Sequence, residues 1–143
     1  MKEAYIQIKH GNPYPFSHED KEVFKSYPDN KVVRVKIYGT TKLRSLLQNR
    51  WIHAIFRYTA RDQSDVEWST PERVKRKVKM AMKFFKDDVV VEDNKVFFEL
   101  DSFAFDKMEQ NRANKVYNEA RDICAEFLGV DPETLQAYAE NEQ

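Results

Sequence analysis

The sequence predicts a single-domain α+β fold, in which a small mixed or antiparallel sheet packs with about four to five helices. Short runs of β-branched and aromatic residues alternate with longer segments whose apolar residues recur at helical spacing. The chain has 143 residues, 41% of them hydrophobic, and only three Gly, so it has the size of one domain and lacks a flexible linker. We therefore expect residues 1–143 to form one domain.

A strand, a short helix and a second strand are predicted in the first forty residues. The first strand covers residues 5–8 and ends at the turn-rich residues 11–15. Ser17, followed by Asp20, has the pattern of a helix N-cap with an acidic first turn, and Pro28 closes that helix. Residues 31–38 alternate apolar and mainly basic side chains, which predicts a strand with one buried and one basic face.

Two cationic helices are predicted in the middle of the chain. From Ser45 onward the apolar residues have helical spacing, and several cations occupy another side of the same helix. Ser69 and Glu72 have the spacing of a capping box around Pro71, so a second helix should run from there to about Phe85.

A hairpin and two helices are predicted in the last part of the chain. The runs 89–91 and 96–100 surround a turn at Asp93-Asn94. Ser102 is predicted to cap a long helix that Gly129 ends, and Asp131 with Pro132 should start a last helix through residue 138. The acidic residues after it are expected to fray.

Composition favours a cytoplasmic protein. Cys124 is the single cysteine, so an internal disulfide cannot form and a reducing compartment is expected. The chain shows neither a signal-peptide pattern nor an apolar run of about 20 residues, which indicates no membrane association. If a phage encodes the chain, its location is the host cytoplasm.

The charges are distributed unevenly although they sum to zero. Residues 1–86 contain 19 Lys or Arg and 9 Asp or Glu, whereas residues 87–143 contain 5 and 15. This asymmetry is typical of a protein with a basic and an acidic face, but helices that pair internally would give the same numbers.

Catalysis is not expected. The three histidines are scattered, and Cys124 lies on the apolar stripe of a predicted helix, where a thiol usually serves as a small buried hydrophobe. Neither a nucleophile elbow nor a glycine-rich phosphate loop is present. We predict no cofactor, no metal and no enzymatic activity. A metal-dependent nuclease ranks far behind as a hypothesis, and its acids would be Asp87, Asp88, Glu92, Asp93, Glu99 and Asp101.

DNA binding is the function that the sequence favours. Residues 34–86 are rich in cations, which can displace counterions from phosphates, and in aromatic residues, which can stack on unpaired bases. Trp51, Tyr58 and Phe85 fall on apolar helix stripes and are expected in the core. The cations predicted to contact phosphates are Arg50, Arg57, Arg61, Arg76, Lys79 and Lys83.

Residues 43–53, Leu-Arg-Ser-Leu-Leu-Gln-Asn-Arg-Trp-Ile-His, resemble the R-S-L-x-Q-N-R signature of the phage lambda Orf (NinB) recombination-mediator family. In loose form the resemblance covers most of the chain, including Val66-Glu67-Trp68 and residues 102–105. It implies a homodimeric α+β protein that binds single-stranded or partly single-stranded DNA and helps load a recombinase onto strands coated by single-strand-binding protein. The chain departs from the family pattern through its acidic C-terminal part and its neutral total charge.

The same resemblance places Arg44, Gln48, Asn49 and Arg50 at the DNA backbone. Arg can clamp a phosphate, and Gln and Asn can bond the sugar-phosphate backbone. Ser45 with Gln48 is also a capping box, so capping and binding are equally good interpretations of Gln48.

A non-catalytic protein-interaction module is the alternative hypothesis. The basic and acidic parts would then drive pairing with a second copy or with another protein, without any DNA binding.

Overall fold

The structure, a computed structural model, describes residues 2–39, 43–86 and 90–142. Within these ranges it contains five α-helices and two antiparallel two-stranded hairpins, which confirms the α+β class. The contacts divide the chain into two compact units, one within residues 1–41 and one spanning Lys42–Glu142. The assignment of residues 1–143 to one domain stays a prediction. Among the described helices, none combines the length and hydropathy needed to cross a bilayer.

The first unit begins with a hairpin of β1 (Ile6–Lys9) and β2 (Asn12–Pro15). Lys9 pairs with Asn12, so His10 and Gly11 form a two-residue loop with φ of 51° and 77°. Positive φ at both positions gives a type I′ turn, whose twist matches that of the strands. The predicted first strand is confirmed. The interpretation of residues 12–15 as part of a turn is wrong, because they form its partner strand.

Helix α1 (His18–Lys25) begins at Ser17, as predicted. The Ser17 hydroxyl accepts a hydrogen bond from the Asp20 backbone N–H at 3.2 Å and donates to Asp20 Oδ2 at 2.7 Å. Asp20 Oδ1 accepts from the Tyr5 backbone N–H at 2.9 Å. The buried Asp20 carboxylate therefore joins the residue before β1 to the first turn of α1.

The predicted basic strand at residues 31–38 is wrong. Residues 31–39 belong to no strand or helix, and from residue 32 onward they make no backbone hydrogen bond to another described residue. Alternating polarity supplies the side chains for a sheet, but a strand exists only where a second strand satisfies its backbone groups.

In the second unit, α2 (Leu43–Ala60) is the central helix and packs against α3 (Pro71–Ala81), α4 (Gln110–Leu128) and α5 (Pro132–Asn141). Because three helices cover it, α2 buries residues on most of its circumference, and Ile52, Ile55 and Phe56 are at or below 1% exposure. Trp51 and Tyr58 pack against the same core, as predicted.

Helix α3 is shorter than predicted at its C-terminus. Its N-cap is Thr70, whose hydroxyl accepts from the Arg73 backbone N–H at 3.2 Å, so the capping box at Ser69 is off by one residue. The helix ends at Ala81 because Lys83 adopts φ of 55° and the Phe84 N–H reaches back to the Lys79 carbonyl at 2.9 Å. This is the hydrogen-bond pattern of a Schellman cap, with Lys83 at the left-handed position that Gly usually occupies.

The hairpin predicted around Asp93-Asn94 is confirmed as β3 (Val90–Glu92) and β4 (Lys95–Phe97). Asp93 and Asn94 form its two-residue loop with φ of 51° and 60°, again a type I′ turn. Val89, at the predicted start, lies outside the described residues. Strand β4 ends earlier than predicted, at residue 97.

Helix α4 begins at Gln110, so the predicted cap at Ser102 is wrong. Residues 102–109 instead bury Phe103 and Phe105 and contain a short 3-10 turn at Phe105–Lys107. Gly129 ends α4 with φ of 69°, as predicted. Helix α5 starts after Asp131, also as predicted, and continues to Asn141.

Candidate nucleic-acid interface

The residues predicted to contact DNA divide between two helices with different surroundings. Six lie on or at the end of α2, which other helices cover, and three lie on α3 or just after it. The α2 group consists of Arg44, Gln48, Asn49, Arg50, Arg57 and Arg61, and the α3 group consists of Arg76, Lys79 and Lys83.

The buried Gln48 belongs to an amide cluster between α2 and α4, which it forms with the half-buried Gln110 and Asn114. Asn114 Oδ1 accepts from Gln48 Nε2 at 2.6 Å, from Gln110 Nε2 at 2.7 Å and from Arg44 Nε at 3.2 Å. Gln48 is 1% exposed and its amide is bonded to α4. Its predicted contact with the DNA backbone stays a prediction. Arg44 stays exposed, with its guanidinium held by Asn114.

The capping interpretation of Gln48 is wrong. Helix α2 already begins at Leu43, so Ser45 lies inside it, and the buried Ser45 hydroxyl faces Gln110 Oε1 at 3.4 Å. Part of the R-S-L-x-Q-N-R segment therefore fastens α2 to α4. Gln110 and Asn114 could not be found from sequence, because they lie more than sixty residues away and no local pattern marks an interhelical hydrogen bond.

Asn49, Arg50 and Arg57 are half-buried. Burial lowers the pKa of the Arg50 guanidinium from its ordinary value. Arg57 Nη2 forms an ion pair with Glu142 Oε2 at 3.1 Å, and both side chains are at least three-quarters covered. The predicted solvated face of α2 is therefore largely enclosed in this unit.

Helix α5 also contacts Arg61. Its guanidinium donates from Nη2 to the Tyr138 hydroxyl at 3.0 Å and lies 5.6 Å and 5.8 Å from the ring centroids of Tyr58 and Tyr138. The two tyrosine rings contact each other, with centroids 4.4 Å apart. Arg61 thus keeps an exposed position but is already bonded on one side.

The cations of α3 line an open depression, which we call the α3 groove. It is a depression of about 460 Å³ between α3 and residues 98–100. Three cations line it at the spacing of one helix face, together with one acid from each wall. Its lining residues are Glu72, Lys75, Arg76, Lys79, Phe98, Glu99 and Leu100.

Within the groove, Arg76 is exposed and Lys79 is deeply placed. Lys79 is 8% exposed, and its Nζ lies 5.0 Å from the centroid of the Phe103 ring. Burial lowers the pKa of Lys79, the nearby Lys75 lowers it further, and Asp101 opposes the shift. An anion entering the groove would relieve the repulsion between these two lysines.

Lys83 is exposed and follows α3 by two residues, but it is not one of the residues that line the groove. Other cations in this region already have acidic partners: Lys77 contacts Glu67, and Lys86 lies 3.5 Å from Glu99. Internal pairing therefore accounts for part of the charge asymmetry. Lys75 was missed by the sequence reasoning, although its spacing from Lys79 was visible.

Metal-ligating side chains and the single thiol were the candidates for chemistry in the described part of the chain. No cluster of three or more His, Cys, Asp or Glu there could hold a metal ion. Asp87 and Asp88, the main acids of the nuclease hypothesis, lie outside the described residues. Cys124 is fully buried, and burial raises the pKa of its thiol to about 12.

Comparison with known proteins adds no further guide, since no family model, curated protein or solved structure matches the chain. The resemblance to the Orf (NinB) family stays a prediction. The α3 groove and its charges are the observations on which a function can be argued.

Proposed function

We propose that the chain is a non-catalytic DNA-binding protein that holds single-stranded or partly single-stranded DNA by its phosphates. The α3 groove carries this proposal, because Lys75, Arg76 and Lys79 converge on one open depression with Lys83 beyond it. The R-S-L-x-Q-N-R resemblance supports a more specific role as a phage-type accessory protein of recombination. That role would include recombinase loading and contact with single-strand-binding protein.

The energetic argument is the release of counterions. Each phosphate that a lysine or arginine neutralises frees condensed cations from the nucleic acid, so binding weakens as salt concentration rises. Two acids, Glu72 and Glu99, share the groove and oppose this attraction. We therefore expect modest affinity with a strong salt dependence.

Replacing Lys75, Arg76 and Lys83 together by Gln tests the site, and fluorescence anisotropy with labelled single-stranded and duplex DNA measures it. Affinity at low salt should fall at least about tenfold, and the slope of log K against log salt should become shallower by about 2. Lys79 is left unchanged because its burial ties it to the fold.

The matched control replaces three exposed lysines of the first unit, Lys9, Lys21 and Lys25, by Gln. It removes the same charge from residues that do not line the α3 groove, so affinity and slope should stay close to those of the unmodified protein. Equal losses in both triple variants would show that only net charge matters and would remove the α3 groove as the site.

A protein-interaction module without DNA binding is the second candidate. The exposed apolar residues of segment 32–38 and of the β3–β4 hairpin favour it. The first DNA titration distinguishes the two candidate functions, since a protein-interaction module would give no anisotropy change with either DNA form even at low salt.

A further inference from the structure

Two exposed segments have the side-chain composition of β-strands but no complete sheet: one belongs to no strand, and the other is a two-stranded hairpin. The first is segment 32–38, Val-Val-Arg-Val-Lys-Ile-Tyr, in which Val32 is 93%, Val35 71% and Ile37 71% exposed. Burying such side chains is favourable because it removes apolar surface from water. An alternating apolar run whose amide and carbonyl groups meet no described partner is a template for strand pairing.

The second segment is the β3–β4 hairpin. Val90, Val91, Val96 and Phe97 are all more than half exposed. A two-stranded hairpin is marginally stable alone in water and gains from a third strand. Backbone hydrogen bonds join β3 to β4, and among the described residues none occupies the other edge of β3.

Charge distinguishes the two edges of the hairpin. Segment 32–38 carries Arg34 and Lys36 and no acid, whereas β3 carries Glu92 and β4 carries Lys95. Opposite charges on neighbouring strands stabilise a sheet and like charges destabilise it. Pairing of two copies of segment 32–38 would place cations opposite cations, whereas pairing with β3 places them beside an acid.

We propose that segment 32–38 of one copy adds to the outer edge of β3 in a second copy. In a closed dimer each copy donates its segment and receives the other's, so the same contact forms twice about a two-fold axis. Main-chain hydrogen bonds give such strand addition its affinity, and the cation–Glu92 neighbours give it direction. This inference does not depend on DNA binding.

The oligomeric state of full-length charge variants tests the pairing. Arg34→Glu with Lys36→Glu should raise the Kd of the dimer at least about tenfold in analytical ultracentrifugation, since like charges then face each other. Glu92→Lys alone should also weaken it, and the three substitutions together should restore dimer formation. Monomer at every concentration in the unmodified protein, or additive weakening without restoration, would overturn the proposal.

Cross-linking distinguishes pairing between copies from pairing within one chain. The native thiol of Cys124 is buried, so cysteines placed at exposed positions are the reactive ones. A mixture of Val35→Cys and Val91→Cys proteins treated with a short bis-maleimide should give a linked pair of chains. A mixture of Val35→Cys with Val66→Cys, which places a cysteine at another exposed valine, is the control.

The expected result is a heterodimer yield well above that of the control mixture. Equal yields would contradict the proposed edge. A protein carrying both Val35→Cys and Val91→Cys that links only within its own chain at high dilution and at high concentration would also contradict pairing between copies.

Discussion

Asn114 Oδ1 accepts three hydrogen bonds, from Arg44, Gln48 and Gln110. A carbonyl oxygen has two lone pairs, so three donors leave it fully used and the amide tightly oriented. Because Gln48 is buried, its donor depends on this acceptor rather than on water. In this structure Gln48, part of a motif that suggests DNA contact, bonds α2 to α4.

Asn114→Ala should lower the free energy of unfolding by about 2 kcal/mol, because it leaves the buried Gln48 amide without its acceptor. Urea denaturation followed by circular dichroism measures the change. Asn118→Ala removes an exposed amide from the same helix and should change stability by less than about 0.5 kcal/mol. Similar losses in the two variants would argue against the amide cluster.

Cys124 should be unreactive in the folded protein. Burial raises the pKa of its thiol to about 12, against 9.0 for an ordinary thiol, and Thr59 lowers it slightly through a hydrogen bond. Since the folded state favours the neutral thiol, its stabilising contribution is present below pH 9 and is lost as pH rises towards 12. Alkylation by iodoacetamide at pH 8 should be negligible until urea unfolds the protein. Rapid native labelling would contradict this burial.

At the scale of elements, local signals located most ends of helices and turns. Ser17, Gly129 and the Asp93-Asn94 turn act through their own backbone or side chains, so the sequence shows them directly. Segment 32–38 was predicted as a strand from its side chains, but strand formation depends on a partner that periodicity does not reveal. Likewise, the sequence shows the charges of α2 but not that α4 and α5 cover them.

The end of α3 gives a prediction at this scale. Lys83 holds φ of 55°, a conformation that costs a residue with a Cβ about 1 kcal/mol relative to glycine. Lys83→Gly should therefore raise the free energy of unfolding by roughly 0.5–1 kcal/mol. Lys83→Gln, with the same loss of charge but a retained Cβ, should leave stability nearly unchanged, and both should weaken DNA binding equally. Chemical denaturation of the two variants measures the difference.

At the scale of the whole molecule, the cations of residues 34–86, which the sequence suggests form one basic face, lie on helices with different surroundings. Cations of α2 turn towards α4 and α5, as the Arg57–Glu142 pair shows, while those of α3 remain around an open groove. The candidate site thus contains fewer residues than the predicted basic face, and it lies between α3 and residues 98–100. Which cations remain exposed depends on which helices pack over α2. That packing involves residues far apart in the sequence, so no single segment predicts it.

Both tryptophans of the chain lie in the second unit. Trp68 stacks on Phe127 with ring centroids 3.8 Å apart and planes 7° from parallel, and Trp51 lies 6.1 Å from the Tyr117 ring. Residues 1–41 contain tyrosine but no tryptophan. Tryptophan fluorescence excited at the red edge of indole absorption therefore reports the unfolding of the second unit alone. Far-ultraviolet circular dichroism reports the unfolding of both units. Coincident melting curves from the two signals would show that the two units unfold together, and separate curves would show that they unfold independently.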